Sequence, residues 1–137
     1  MKTGVGLGRH LVVEMYDCDI KVLDSINLIR QALLEAARAA NSTVLGDYFH
    51  KFYPQGVTGV VVVAESHLSI HTWPEYGFAA VDIFTCGEHT EPWRALEVLK
   101  KTLKPRRMMV MEMKRGLYEV ISKSEEVSQR DELKSGI

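Results

Sequence analysis

The stretch from residue 57 to residue 73 most strongly limits how this chain can fold, because it holds two successive segments with the pattern of β-strands. Residues 57–64 (VTGVVVVA) are almost continuously apolar, which is typical of a strand buried on both faces. Residues 67–73 alternate with a period of two, so their side chains fall on opposite faces of a strand. One face carries His67, Ser69, His71 and Trp73, and the other carries Leu68, Ile70 and Thr72. Only Glu65 and Ser66 follow the first segment before the second begins, which predicts a hairpin with one polar face.

The remaining segments complete an α+β pattern. We predict further strands at residues 9–16, 43–53, 78–86 and 107–114. A long amphipathic helix capped by Asp19 is predicted to run to Asn41, and a second helix begins at Thr90 or Glu91 with Trp93 on its apolar face. The order predicts a single domain over residues 1–137, a two-layer α/β sandwich with two main helices on one face of a mostly antiparallel sheet. The polar tail after Ile121 is predicted to be a frayed helix or disordered.

Composition narrows the classes of protein that fit. The 137 residues include 46% hydrophobic residues, enough for a core in one domain. The net charge of −1 argues against a general nucleic-acid binder. Two cysteines, Cys18 and Cys86, do not suggest a disulfide framework. We read no signal peptide and no membrane span, so a cytoplasmic protein is expected.

Ser66 is the residue in this hairpin whose chemistry most needs an explanation. The hydrolase pattern G-x-S-x-G is absent, since Ala64 and Leu68 flank the serine. A serine at a turn can instead attack the carbonyl of its own preceding peptide bond and form an ester. Elimination then gives dehydroalanine, and hydrolysis gives a pyruvoyl group. His71 is a candidate base for these steps, and Thr58, across the hairpin, is a candidate supporting hydroxyl.

A metal-binding module is the alternative from another class. Its candidate ligands are His67, His71, Cys86 and His89. Residues four apart in a strand are about 13 Å apart, which disfavours chelation by the two strand histidines. We therefore predict no metal site.

The segment ESHLSIHTWPEYGFAAVDIFTCG (65–87) resembles the processing and active-site segment of bacterial and archaeal S-adenosylmethionine decarboxylase proenzymes. GRHLVVEMYDCD, FHKFYPQGVTGVVVV and EPWRALEVLKK resemble the same family, in the same order. The resemblance implies self-cleavage between Glu65 and Ser66 into a β chain, residues 1–65, and an α chain, residues 66–137. It also implies a symmetric dimer of αβ units.

The resemblance also implies roles for single residues. Ser66 becomes the pyruvoyl group, the cofactor that forms a Schiff base with the substrate. His71 assists processing, and Cys86 donates a proton during catalysis. Thr58 stands where the family also has serine, so it keeps the hydroxyl and adds a methyl. Positions implied to line the substrate site are Phe52, Trp73 and Glu75.

The implied substrate is S-adenosylmethionine, and its decarboxylated product is the aminopropyl donor for spermidine. Aromatic faces suit a sulfonium through cation–π attraction and suit adenine through stacking. A pyruvoyl-dependent arginine decarboxylase of the same family is the alternative. The 65–87 segment serves both substrates and does not separate them.

Overall fold

The computed structural model describes residues 7–117, so the predicted state of the tail after Ile121 lies outside the described residues. The six strands are β1 (Gly8–Tyr16), β2 (Val44–Lys51), β3 (Val57–Val63), β4 (Ser66–Trp73), β5 (Phe78–Cys86) and β6 (Arg107–Arg115). The helices are α1 (Ile20–Leu23), α2 (Ile26–Ala39) and α3 (Pro92–Leu103), with a 3-10 turn at Pro74–Tyr76. The strands form one sheet in the order β2-β3-β4-β5-β1-β6, and all five neighbouring pairs are antiparallel.

Helices α2 and α3 cover one face of the sheet, which confirms the predicted two-layer sandwich. The core lies between these layers and is built from every second residue of the strands. In β4 the buried positions are Leu68, Ile70 and Thr72, as the alternation predicted. The largest fully buried side chains include Leu11, Leu33, Leu68, Ile83 and Leu99. Burying each such side chain contributes about 1.5–3 kcal/mol.

The prediction of one long helix up to Asn41 is wrong, because the chain breaks between α1 and α2. Asp19 caps α1 as predicted, since its carboxylate accepts a hydrogen bond from the Lys21 amide. Ser25 then has an extended backbone, and its hydroxyl accepts from the Leu28 amide at 3.2 Å. This second N-cap starts α2 afresh, because a capping side chain satisfies an amide that a continuous helix would pair internally.

The prediction that the valine run is buried on both faces is also wrong. Val57, Val61 and Val63 are buried under the helices, whereas Val62 is 44% exposed. The described residues include no second layer over the other side of the sheet, so alternate valines face outward there.

Helix α3 begins at Pro92, directly after the predicted start at Thr90 or Glu91, and Trp93 does not join its buried face. The indole is partly exposed, and its Nε1 donates to Glu112 of β6 at 3.1 Å. The buried face consists of Pro92, Ala95, Leu96, Leu99 and Leu103.

The side of the sheet that the helices leave uncovered is called the open face below. Its exposed apolar side chains are Tyr48, Val62, Trp73, Met109, Met111 and Met113. The polar row of β4 lies on the same face. Within residues 7–117 no helix is long and apolar enough to cross a membrane.

Candidate active site

The β3–β4 turn holds the backbone of Ser66 in a strained conformation. Val63 and Ser66 pair across the turn, so Ala64 and Glu65 form a two-residue loop. Ser66 has φ 143°, although it is not glycine. Such a conformation costs about 1–3 kcal/mol and persists only where the surrounding structure holds it. The strain therefore lies at the peptide bond for which the sequence predicts self-cleavage.

The Ser66 hydroxyl has a close neighbour that the sequence argument used only as a possible metal ligand. Ser66 Oγ lies 3.2 Å from His67 Nδ1. The His67 ring packs edge-on against Phe84 of β5, with their centroids 5.8 Å apart. His67 therefore contacts the candidate nucleophile within the same chain.

Glu65 is anchored rather than solvated. The residue is 8% exposed, and its carboxylate accepts from the Thr43 amide at 2.9 Å. His89 Nε2 lies 2.9 Å from its other carboxylate oxygen. The hydrogen bond from the Thr43 backbone, and then that from His89, hold the pKa of Glu65 below its usual value. Sequence periodicity carried no signal for these contacts, because Glu65 is separated from each partner by more than twenty residues.

Cys86 lies at the same end of β4. His67 pairs with Phe84, so continuing this register by two residues places Cys86 alongside the Glu65–Ser66 turn. The thiol is free and half-buried. Ser66 and Cys86 are called the serine end of the site below.

The other predicted residues lie at the opposite end of β4, called the histidine end below. Thr58 and His71 are directly paired, and Thr58 Oγ1 lies 2.9 Å from His71 Nδ1. The His71 ring is 6.4 Å from that of Trp73, measured between centroids. Phe52 follows β2, and Glu75 lies in the 3-10 turn after β4. The rings of Phe52 and Trp73 are 45% and 40% exposed and are available for contact.

Within one chain the structure does not bring the two ends together. Ser66 and His71 are five residues apart on one strand. Five residues of strand span about 16 Å. The candidate base and the candidate nucleophile of one copy are therefore too far apart to exchange a proton directly.

A hydrogen-bonded network occupies the open face between the two ends. Asp82 of β5 accepts from Ser69 Oγ at 3.3 Å and lies 2.8 Å from His10 Nε2. The His10 ring stacks on Phe84, with their centroids 5.3 Å apart. The period-two pattern of residues 78–86 was the signal that could have placed Asp82 opposite Ser69.

The proposed ligands of a metal module are spread over both ends of β4. No group of three or more His, Cys, Asp or Glu side chains suited to a metal ion occurs among residues 7–117. The alternative of a metal-binding module gains no support from this geometry.

Comparison with known proteins matches the chain to one family over most of its length. The family model for S-adenosylmethionine decarboxylase matches residues 9–116. The S-adenosylmethionine decarboxylase proenzyme of Thermotoga petrophila is 56% identical over 115 residues, covering 84% of this chain and 88% of the relative. The corresponding proenzyme of Thermosipho melanesiensis is 52% identical over the same shares of the two chains.

A solved structure agrees with both the sequence match and the fold. The crystal structure of the adenosylmethionine decarboxylase from Aquifex aeolicus is similar with a TM-score of 0.78 and 39% identity. The match covers 82% of this chain and 93% of that one. The chain therefore belongs to the S-adenosylmethionine decarboxylase family.

Proposed function

We propose that this protein is a proenzyme that cuts its own chain between Glu65 and Ser66 and then decarboxylates S-adenosylmethionine. The product would serve as the aminopropyl donor for spermidine. The observation that carries the proposal is the strained backbone of Ser66, with φ 143°, at the bond that must be cut. The two products would be a β chain, residues 1–65, and an α chain, residues 66–137.

The cleavage uses atoms of the chain and one water molecule. Ser66 Oγ attacks the Glu65 carbonyl carbon, the C–N bond breaks, and an ester replaces the peptide bond. A base removes the Ser66 α-proton, and the main-chain carboxylate of Glu65 leaves from the Ser66 β-carbon, which gives dehydroalanine. Water then displaces ammonia and leaves a pyruvoyl group at residue 66. Strain at Ser66 favours the first step, because breaking the C–N bond releases the strained backbone conformation of this residue.

We also propose that each site is completed by a second copy of the chain. His71 and Ser66 of one copy lie about 16 Å apart along β4, so the base must come from elsewhere if it is His71. In this arrangement the open faces of two copies pack against each other. The two-fold axis lies midway between the sheets and perpendicular to β4, so the two β4 strands run in opposite directions. Each serine end then faces a histidine end, across the distance of about 10 Å that separates packed sheets.

The open face has the composition that such a dimer requires. Its edge strand β6 presents a row of methionines with exposed side chains, Met111 being 63% exposed. Val62 and Tyr48 extend apolar surface to the other edge of the sheet. Exposed apolar side chains at both edges of one sheet face, with a polar row between them, favour an interaction site in a soluble protein. A second copy would cover this surface, while the helices face outward on both sides.

Ser66 and Cys86 suit a pyruvoyl-dependent decarboxylation. The pyruvoyl group would supply the electron sink for loss of CO₂, as pyridoxal phosphate does elsewhere. The serine fits this role because it lies at a strained turn, and the neighbouring strand carries the free cysteine Cys86. Cys86 would donate its proton to the substrate α-carbon after CO₂ leaves.

The histidine end would bind the substrate. Phe52 and Trp73 offer partly exposed aromatic faces, which would stack on adenine and attract the sulfonium. Glu75 would add a negative charge nearby. We further propose a cytoplasmic location, in keeping with the free thiols of Cys18 and Cys86.

The test combines intact mass with product analysis. Denatured protein should give two fragments split after Glu65, the second lacking a free amino terminus. The cleaved protein should release CO₂ from S-adenosylmethionine. A single 15.5 kDa species under all conditions would refute self-cleavage. If the cleaved protein instead released CO₂ from arginine, self-cleavage would stand, but the enzyme would be the alternative, an arginine decarboxylase.

A further inference from the structure

The Glu65 side chain is held more firmly than a hairpin turn requires. Loop side chains usually lie in water, yet this side chain is 9% exposed. It has three polar neighbours from two other segments of the chain. The Thr43 amide donates at 2.9 Å, Thr43 Oγ1 at 3.4 Å, and His89 Nε2 lies at 2.9 Å. The set Thr43, Glu65 and His89 is called the clamp below.

Both partners of Glu65 are themselves fixed. The Thr43 carbonyl accepts from the Ala64 amide at 2.9 Å, so Thr43 bonds to both residues that precede Ser66. The His89 carbonyl accepts from Asn41 Nδ2 at 2.9 Å. Gly87 leaves room for the imidazole, because a Cβ there would lie 2.7 Å from His89 Cε1. The loop after Cys86 is therefore folded so that His89 reaches Glu65.

The clamp acts on the strained residue next to it. A strained backbone relaxes unless the structure holds it on both sides. Downstream of Ser66, pairing of β4 with β3 and β5 fixes the chain. Upstream of Ser66, the Ala64 amide and the Glu65 side chain are the anchors. If the carboxylate were released, the Glu65 peptide could rotate and Ser66 could return to an ordinary conformation.

We propose that the clamp positions the Glu65 carbonyl for attack by Ser66 and thereby sets the rate of self-cleavage. The inference rests on the proposed cleavage between Glu65 and Ser66. Glu65, Thr43 and His89 are positioning residues, since their side chains take no part in bond making. Attack requires the reacting atoms to be about 3–3.5 Å apart, and a misplacement of about 1 Å can slow such a step about 100-fold.

The experiment follows cleavage of freshly made protein over time. Full-length chains are labelled during a pulse of cell-free synthesis, and the two fragments are quantified during a chase. The variants are His89→Leu, which fills the space without a donor, and His89→Gln, whose amide can still donate to Glu65. The matched control is Asp47→Asn, which weakens another carboxylate's hydrogen bonds, those with Arg30 at 2.9 and 3.0 Å.

We expect His89→Leu to slow cleavage about 10- to 100-fold and His89→Gln to restore most of the rate. Asp47→Asn should cleave like the parent chain. Hydroxylamine, which cuts esters, should not raise the yield of fragments from His89→Leu, because the clamp acts before the ester forms. Unfolding midpoints, measured in a Ser66→Ala background that cannot cleave, should fall no more for His89→Leu than for Asp47→Asn.

Three results would overturn the inference: His89→Leu cleaving at the parent rate, His89→Gln as slow as His89→Leu, or hydroxylamine releasing fragments from a stalled ester. Failure of the parent chain to cleave would instead refute the proposed function. The two failures are therefore distinguishable.

Discussion

The two ends of β4 carry different chemical groups, and each lacks those of the other. The serine end has a strained backbone, the Ser66 hydroxyl, and Cys86 on the neighbouring strand. The histidine end has ordinary strand geometry, a paired hydroxyl and imidazole in Thr58 and His71, and exposed aromatic rings. In the proposed function, one end supplies the reacting bond, and the other supplies a base and a binding surface. Pairing along the sheet keeps the two ends apart, and for this reason we propose a site assembled from two copies.

The sharpest separation of the two ends should come from one variant at each. Cys86→Ala should cleave at the parent rate, because the thiol serves only the later proton donation, while decarboxylation falls about 100-fold or more. Thr58→Val should do the reverse, slowing cleavage while each cleaved chain keeps its decarboxylation rate. Cleavage by pulse-chase and CO₂ release per cleaved chain measure the two effects. Equal loss of both activities in either variant would contradict the division of roles.

A second pair of variants compares the two faces of the sheet by their effect on stability. Leu68→Ala, on the helix-covered face, should lower the free energy of unfolding by about 2–5 kcal/mol, because it leaves a cavity in the core. Val62→Ala, on the open face, should change the free energy of unfolding of the monomer by about 0.5 kcal/mol or less. Urea denaturation at a concentration where the protein is monomeric measures both. If Val62→Ala strongly lowered the free energy of unfolding of the monomer, the open face would belong to the protomer's own core.

The smallest effect concerns pH at the serine end. The pKa of Glu65 is lowered in the folded chain by the Thr43 amide and His89, so the unfolded chain binds the proton more readily. This stabilisation is complete above the unfolded value of about 4.3 and is lost as pH falls through the lower folded value. The unfolding midpoint of the Ser66→Ala chain should fall as the pH is lowered through this acid range. Adding Glu65→Gln should make that fall less steep. An unchanged acid slope would show that Glu65 does not contribute to it.

The sequence predicted the strands well, because alternation in residues 67–73 directly reports a covered and an uncovered face. The same periodicity could not report which faces a second layer covers, so the exposure of Val62 was missed. The helix break at Ser25 was missed because apolar spacing continued across it. Apolar spacing reports which face of a helix is buried. It does not report the single hydrogen bond by which Ser25 caps a new helix.

The separation of Ser66 from His71 was within reach of the sequence. The spacing of about 3.3 Å per residue that disfavours a metal between His67 and His71 also separates Ser66 from His71. The Glu65–His89 contact was not within reach. It depends on how two loops at one end of the sheet approach each other, and short-range patterns carry no information on that.

The assembly of a site from two copies can be tested most directly by mixing two inactive chains. Ser66→Ala and His71→Ala chains, distinguishable by tag, are coexpressed, and the mixed dimers are isolated and weighed after denaturation. We predict that the His71→Ala chain is cut after Glu65 in mixed dimers, because the partner supplies the missing imidazole. The same chain should stay intact alone or when paired with a Ser66→Ala, His71→Ala double variant. An intact His71→Ala chain in every mixed dimer would contradict the account.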